Sequence, residues 1–153
     1  MKKTTISGFK LIGLKLDRKT TNEGRQSGID CGNLWQKFET EHLVEIIPNK
    51  LGDEIYAVYF DYEGDDTRPF SYFIGCKVAI DTETPVGMDS LLIPSADYFT
   101  VTAKGKMTGC ITDAWKYIWS SGINRTYKYD FEVYDERSKD WNNAEMEIFV
   151  STS

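Results

Sequence analysis

The feature that most constrains this fold is a duplication. Residues 7–80 read strand, loop, helix, hairpin, and residues 90–151 read the same order again. In the first copy, 7–16 has strand character and 17–28 is a polar loop carrying Gly24 and Gly28. Residues 29–44 then change to helical spacing, with Leu34, Trp35 and Phe38 on one stripe. Pro48, Asn49 and Gly52 break the chain before a hairpin of strands 55–62 and 70–80, joined by Glu63-Gly64-Asp65-Asp66. A polar connector, 81–89, leads to the second copy. There 91–102 reads as a strand that Pro94 confines to an edge, and 108–120 reads as a helix closed by Gly122. Strands 127–134 and 144–150 complete it, with a turn over 136–142.

The two copies can be laid over each other. Tyr56, Val58 and Phe60 fall on Tyr129, Phe131 and Val133, and these two sets are expected to lie under the helices. The opposite face carries Ala57, Tyr59 and Asp61 in one copy and Asp130, Glu132 and Tyr134 in the other, while Trp35 corresponds to Trp115. The fold class expected is α+β: two pseudo-symmetric βαββ repeats with antiparallel sheets, helices on one face and a ligand cleft along the repeat seam. A chain of 153 residues fits one such domain, with repeat one at about 5–80 and repeat two at about 90–151. A pseudo-dimeric chain satisfies its own two-fold seam, so a monomer is expected.

Composition narrows the function classes. A net charge of −6, with no basic stripe, is a poor match to phosphate backbones, so no direct nucleic-acid partner is expected. No run of eighteen apolar residues offers a membrane span, and Met1 to Phe9 lacks the apolar core of a secretion signal. A cytoplasmic chain is the expectation. Cys31, Cys76 and Cys110 are far apart and His42 is the single histidine, which disfavours a zinc site and leaves triad chemistry without a base other than His42. The common phosphate-binding glycine motifs are absent, so neither metal nor cofactor is expected. Glu63-Gly64-Asp65-Asp66 lacks full calcium-loop spacing and reads as a solvated turn. Aromatics are abundant: four Trp, nine Tyr and eight Phe, more than a core this small requires, which points to a ring-lined pocket.

Several segments in order carry a family likeness. They are Leu34-Trp35-Gln36-Lys37-Phe38, Tyr56-Ala57-Val58-Tyr59, Ile93-Pro94-Ser95-Ala96, and the helix Ala114-Trp115-Lys116-Tyr117-Ile118-Trp119-Ser120-Ser121. The closing hairpin Tyr129-Asp130-Phe131-Glu132-Val133-Tyr134-Asp135 and Ala144-Glu145-Met146-Glu147-Ile148-Phe149-Val150 completes the set. Across nearly its whole length the chain resembles the GyrI-like small-molecule-binding domains, also called AraC-type or bacterial-activator effector-binding domains. The resemblance implies two SH2-like βαββ units about a pseudo-dyad and a pocket for hydrophobic cations such as dyes and drugs. It places the buried counter-charge on Glu132 and a pocket position on Tyr134, with Met107 and the turn near Asn142 lining the cavity. Some relatives carry aromatics at those last two positions, and Trp141 can substitute for the second. Tyr59, Phe73, Trp35 and Trp115 are the further candidate walls.

By position alone, Glu132 between Phe131 and Val133 is a solvent-facing strand residue, and Trp35 and Trp115 lie on apolar helix stripes that suit core packing. The cysteines read as small apolar fillers. If the resemblance places these residues correctly, ring faces and a sheltered carboxylate would together attract a delocalised cation. Glu132 would be partly protonated when the pocket is empty, and binding would release a proton. The implied function is a stand-alone small-molecule-binding protein of the multidrug-binding kind. Relatives are often fused to a DNA-binding helix-turn-helix; none is expected here, where the first strand starts near Ser7, so a regulatory role would need a partner chain. Alternatives within the same resemblance are a hydrolase of cyclopropanoid toxins using Glu132, and a gyrase-inhibitor-like protein interaction.

Overall fold

The computed structural model describes residues 2–65 and 67–153, so Asp66 of the expected hairpin turn lies outside the described residues. Eight strands form one antiparallel sheet: β1 (Lys2–Ile6), β2 (Phe9–Lys15), β3 (Lys50–Phe60), β4 (Ser71–Val78), β5 (Asp89–Ile93), β6 (Ala96–Gly105), β7 (Tyr129–Tyr134) and β8 (Ala144–Thr152). Three α-helices accompany them: α1 (Gln26–Thr40), α2 (Leu43–Ile46) and α3 (Met107–Ser120). The spatial order is β1-β6-β8-β7-β3-β4-β2-β5.

Within that order the repeats appear as β2-α1-β3-β4 and β6-α3-β7-β8, joined where β3 pairs with β7. Val58 lies opposite Phe131 in that pairing, and Ala57 opposite Glu132. The register is symmetric about the Val58–Phe131 pair, which places the pseudo-dyad there. The duplicated α+β architecture is therefore present, as a single continuous sheet. Each repeat also gains a strand from ahead of the other: β1 pairs with β6, and β5 with β2.

This exchange forces the sheet to roll. β1 and β2 stand six places apart in the sheet yet are joined by Ser7 and Gly8 alone, and β5 and β6 likewise by Pro94 and Ser95. Laid flat, six places would span roughly 29 Å. Two linking residues reach about 10 Å. Only a sheet curled until its edges meet satisfies both. The two crossings touch: a side chain on Gly8 would stand 3.2 Å from the Ile93 carbonyl oxygen, which explains the glycine there. The helix-free face becomes a sealed core of Phe9, Leu11, Val58, Phe73, Ile93, Tyr98 and Phe131.

Several expectations are corrected. The strand expected at 7–16 is two strands broken at Ser7-Gly8. That expected at 91–102 is two strands broken after Ile93, because Pro94 ends a strand here instead of lying in an edge. The helix expected over 29–44 starts at Gln26 and stops at Thr40, and α2 follows after His42 takes a left-handed φ of 53°. The face assignment is also inverted. Tyr56, Val58, Phe131 and Val133 belong to the helix-free core, and Ala57, Tyr59, Glu132 and Tyr134 lie under the helices. Alternation separates two faces without saying which is covered, and rolling buries both.

The helices differ in anchorage. α3 buries Cys110, Ala114, Trp115 and Ile118, whereas α1 buries only Leu34 and Phe38. α1 also begins behind two left-handed residues, Gly24 at φ 58° and Arg25 at φ 61°, with no side-chain cap. Both helices cover the seam, where Tyr59 and Tyr134 touch the apolar clusters beneath α1 and beneath α3. None of the helices among the described residues is long and apolar enough to cross a membrane.

Candidate functional site

Glu132 sits at the centre of the seam. β7 presents it on the helix side opposite Ala57, whose small side chain leaves space above the strand pair. The residue is 1% exposed. Its carboxylate accepts three hydrogen bonds: at Oε2 from the Trp115 indole N–H (2.6 Å) and the Tyr59 hydroxyl (2.9 Å), and at Oε1 from the Tyr134 hydroxyl (2.7 Å). Every one of these donors is neutral. Among the described residues, no lysine or arginine stands within ion-pair distance of Glu132.

The electrostatics follow. Burial pushes the Glu132 carboxyl above its ordinary range, and the bonds from Tyr134, Trp115 and Tyr59 hold part of that rise back. Burial and then the Glu132 charge push the Tyr59, Tyr72 and Tyr134 hydroxyls well up, and raise the Cys31 thiol to about 12. The seam is thus a site of uncompensated negative potential.

Rings enclose it. Tyr59 packs edge-on against Trp115 at 5.3 Å and tilted against Tyr72 at 5.0 Å, and Trp35 meets Tyr134 edge-on at 5.0 Å. The Trp35 indole N–H donates to the Tyr72 hydroxyl at 2.8 Å. Trp35 and Trp115 occupy equivalent places in the two repeats, so each repeat turns one indole N–H toward the seam.

Two cavities open on either side of the rings that hold Glu132, and Glu132 itself lines neither. A wide cleft of about 1000 Å³ opens on the Tyr134 side and is lined by Trp35, Tyr134, Met107 and Trp141, with Glu39, Asp53, Glu54, Asp135 and Glu136 against Arg137 and Lys139 at its mouth. A narrower cavity of about 240 Å³ opens on the Tyr59–Trp115 side, between α1 and α3. Gly28 lines the narrow one and Gly32 the wide one, and an added Cβ at either would meet nothing within 4 Å. A separate groove of about 870 Å³ beside α3 touches none of these residues.

Of the residues singled out from sequence, Glu132, Tyr134, Tyr59, Trp35 and Trp115 come together at the seam. Met107 and Trp141 line the wide cleft further out, Trp141 being 65% exposed. Phe73 does not join them. It follows Tyr72 on β4 and therefore points to the opposite face, fully buried in the helix-free core. Tyr72 is the wall residue missed; parity with Tyr59 across the β3–β4 ladder would have found it, since the two are direct partners.

Comparison with known proteins agrees with this geometry. The family model for Cass2, an integron-associated effector-binding protein, matches residues 4–151. The chain belongs to that family. An integron cassette protein from the mobile metagenome of Vibrio cholerae superposes with a TM-score of 0.75 at 26% identity, covering 99% of this chain and 95% of that one. SAV2435, whose structure holds tetraphenylphosphonium, superposes with a TM-score of 0.79 at 16% identity over 99% of this chain and 93% of its own. The candidate transcriptional regulator YobU of Bacillus subtilis (strain 168) is 24% identical over 122 residues, 77% of this chain and 76% of YobU. The effector-binding resemblance and the α+β fold stand on these matches.

Proposed function

We propose that this protein captures a hydrophobic cation in the wide cleft, with Glu132 as its counter-charge. The observation that carries the reading is a carboxylate buried among rings with no cation of its own. A carboxylate offers about four lone-pair directions. Two donors already crowd Oε2 and one occupies Oε1, so the remaining capacity is at Oε1; Tyr134, which bonds that oxygen, is a wall of the wide cleft and stands between it and Glu132. Three fixed donors suit a standing charge better than a base that must turn toward water.

The cleft supports the same reading. Trp35 and Tyr134 offer ring faces worth about 1–2 kcal/mol each to a desolvated cation. Met107 adds an adaptable contact, and walls with few directional bonds tolerate many shapes. Five acidic residues against two basic ones at the mouth draw cations in. Tetraphenylphosphonium, the cation held by the similarly folded SAV2435, is of the chemical class this cleft suits.

The test uses two ions of nearly one shape and opposite charge, tetraphenylphosphonium and tetraphenylborate, with the smaller triphenylphosphine oxide as a soluble neutral probe. Quenching of Trp35 and Trp115 fluorescence reports binding. The cation is expected to bind at least about ten-fold tighter than the neutral probe, and the anion weakest. Tetraphenylborate binding as tightly as tetraphenylphosphonium would overturn the proposal.

A further inference from the structure

The narrow cavity holds a feature that the cation reading leaves unused. Arg125 lines it with its side chain only 5% exposed. Its Nη2 donates to Asp130 Oδ2 at 2.8 Å, while Nε and Nη1 are buried without any acceptor. Asp130 itself is saturated: its Oδ2 also accepts from the Tyr62 hydroxyl at 2.6 Å, and its Oδ1 from the Ser151 backbone N–H and hydroxyl at 2.8 and 3.0 Å. The guanidinium carbon lies 4.3 Å from the Tyr127 ring centroid and 5.7 Å from that of Trp115. The N–H groups of a guanidinium point in its own plane, so a further partner must reach Nε or Nη1 along that plane.

Buried donors left without an acceptor are rare, and a charged one is costly. We propose that the narrow cavity is a second ligand site, for a small aromatic molecule whose neutral carbonyl oxygen accepts from Nε or Nη1 of Arg125. Tyr59, Phe70, Trp115 and Trp119 supply ring walls, and about 240 Å³ is below drug size, suiting a two-ring compound. The acceptor is neutral for an electrostatic reason. Asp130 already balances Arg125, and the Glu132 carboxylate sits behind Tyr59 and Trp115, so an added anion would be repelled. The site is distinct from the cation cleft, with no lining residue in common, and touches its counter-charge only through Tyr59 and Trp115.

The experiment titrates the full chain with 2-acetylnaphthalene, its near-isostere 2-isopropenylnaphthalene, and 2-naphthoate. The acetyl compound is expected to bind about ten-fold tighter than the isopropenyl one, with naphthoate weaker than the acetyl compound. In the double variant Arg125→Met with Asp130→Asn, which removes both charges together, the acetyl preference should fall to near unity. Independently of how variants fold, the Arg125 Nε–H resonance of the wild-type protein should move on adding the acetyl compound and stay in place with the isopropenyl one. Equal affinities in the wild type, tighter naphthoate, a preference surviving in the double variant, or an unmoved Nε–H resonance would each overturn the site. Tetraphenylphosphonium titrated in parallel tests the cation cleft separately, so the two readings can fail apart.

Discussion

Two acids stand two residues apart on the helix side of β7, and they are solved in opposite ways. Asp130 and Glu132 are both buried, at 0% and 1% exposure. Around Asp130 the chain supplies its own cation, Arg125, and fills the carboxylate with the Tyr62 hydroxyl and two donors from Ser151. Around Glu132 it supplies neutral donors alone. The first arrangement completes a structural joint between β7, β8 and the 121–128 loop. The second leaves a carboxylate with no cationic partner among the described residues. A carboxylate that merely held the fold would be expected to look like Asp130.

The largest effect expected from breaking this contrast is at the structural pair. Arg125→Met alone strands the Asp130 carboxylate in the interior, and stability measured by denaturant unfolding is expected to fall by about 3–5 kcal/mol. A loss under about 1 kcal/mol would mean that Asp130 needs no internal cation, and the contrast with Glu132 would vanish.

The smaller effect has the opposite sign. A carboxyl whose pKa is raised on folding binds more protons in the folded state, so its ionisation costs stability as pH rises above the unfolded value. Glu132→Gln should therefore be more stable than the wild type at neutral pH, with the gain disappearing as pH falls into the ordinary carboxylate range. The amide can keep two acceptor bonds and donate to Tyr134, whose hydroxyl can reverse. A variant destabilised at neutral pH would make Glu132 a structural residue after all.

Much of this was legible before any coordinates. The duplication was readable because helical stripes and strand alternation are local, and Trp35 with Trp115 marked the equivalent helix positions. Glu132, Tyr134 and Tyr59 were readable through family likeness, while bare alternation would have put Glu132 in solvent. What failed was long-range. β1 is a short polar strand whose partner, β6, lies ninety or more residues away. The rolling of the sheet, which buries both faces, depends on two linkers, Ser7-Gly8 and Pro94-Ser95, whose meaning appears only once the strand order is known, and Phe73 misses the site because the β3–β4 register pairs it with Val58 on the helix-free face. Tyr72 corresponds to Ile148 in the other repeat by register, so symmetry gave no hint of a polar wall there. Arg125 sits in a loop with no periodic pattern, and nothing local announces its partner.

A carboxylate kept without an internal cation is read most directly by proton linkage. Calorimetric titration with tetraphenylphosphonium, repeated in buffers of different ionisation enthalpy at mildly acidic pH, counts protons exchanged on binding. A cation beside Glu132 lowers its raised pKa, so protons should be released over the interval in which Glu132 titrates, and affinity should rise with pH over the same interval. The Glu132→Gln variant should release none. Binding of equal strength across that interval with no proton release from the wild type would contradict the claim.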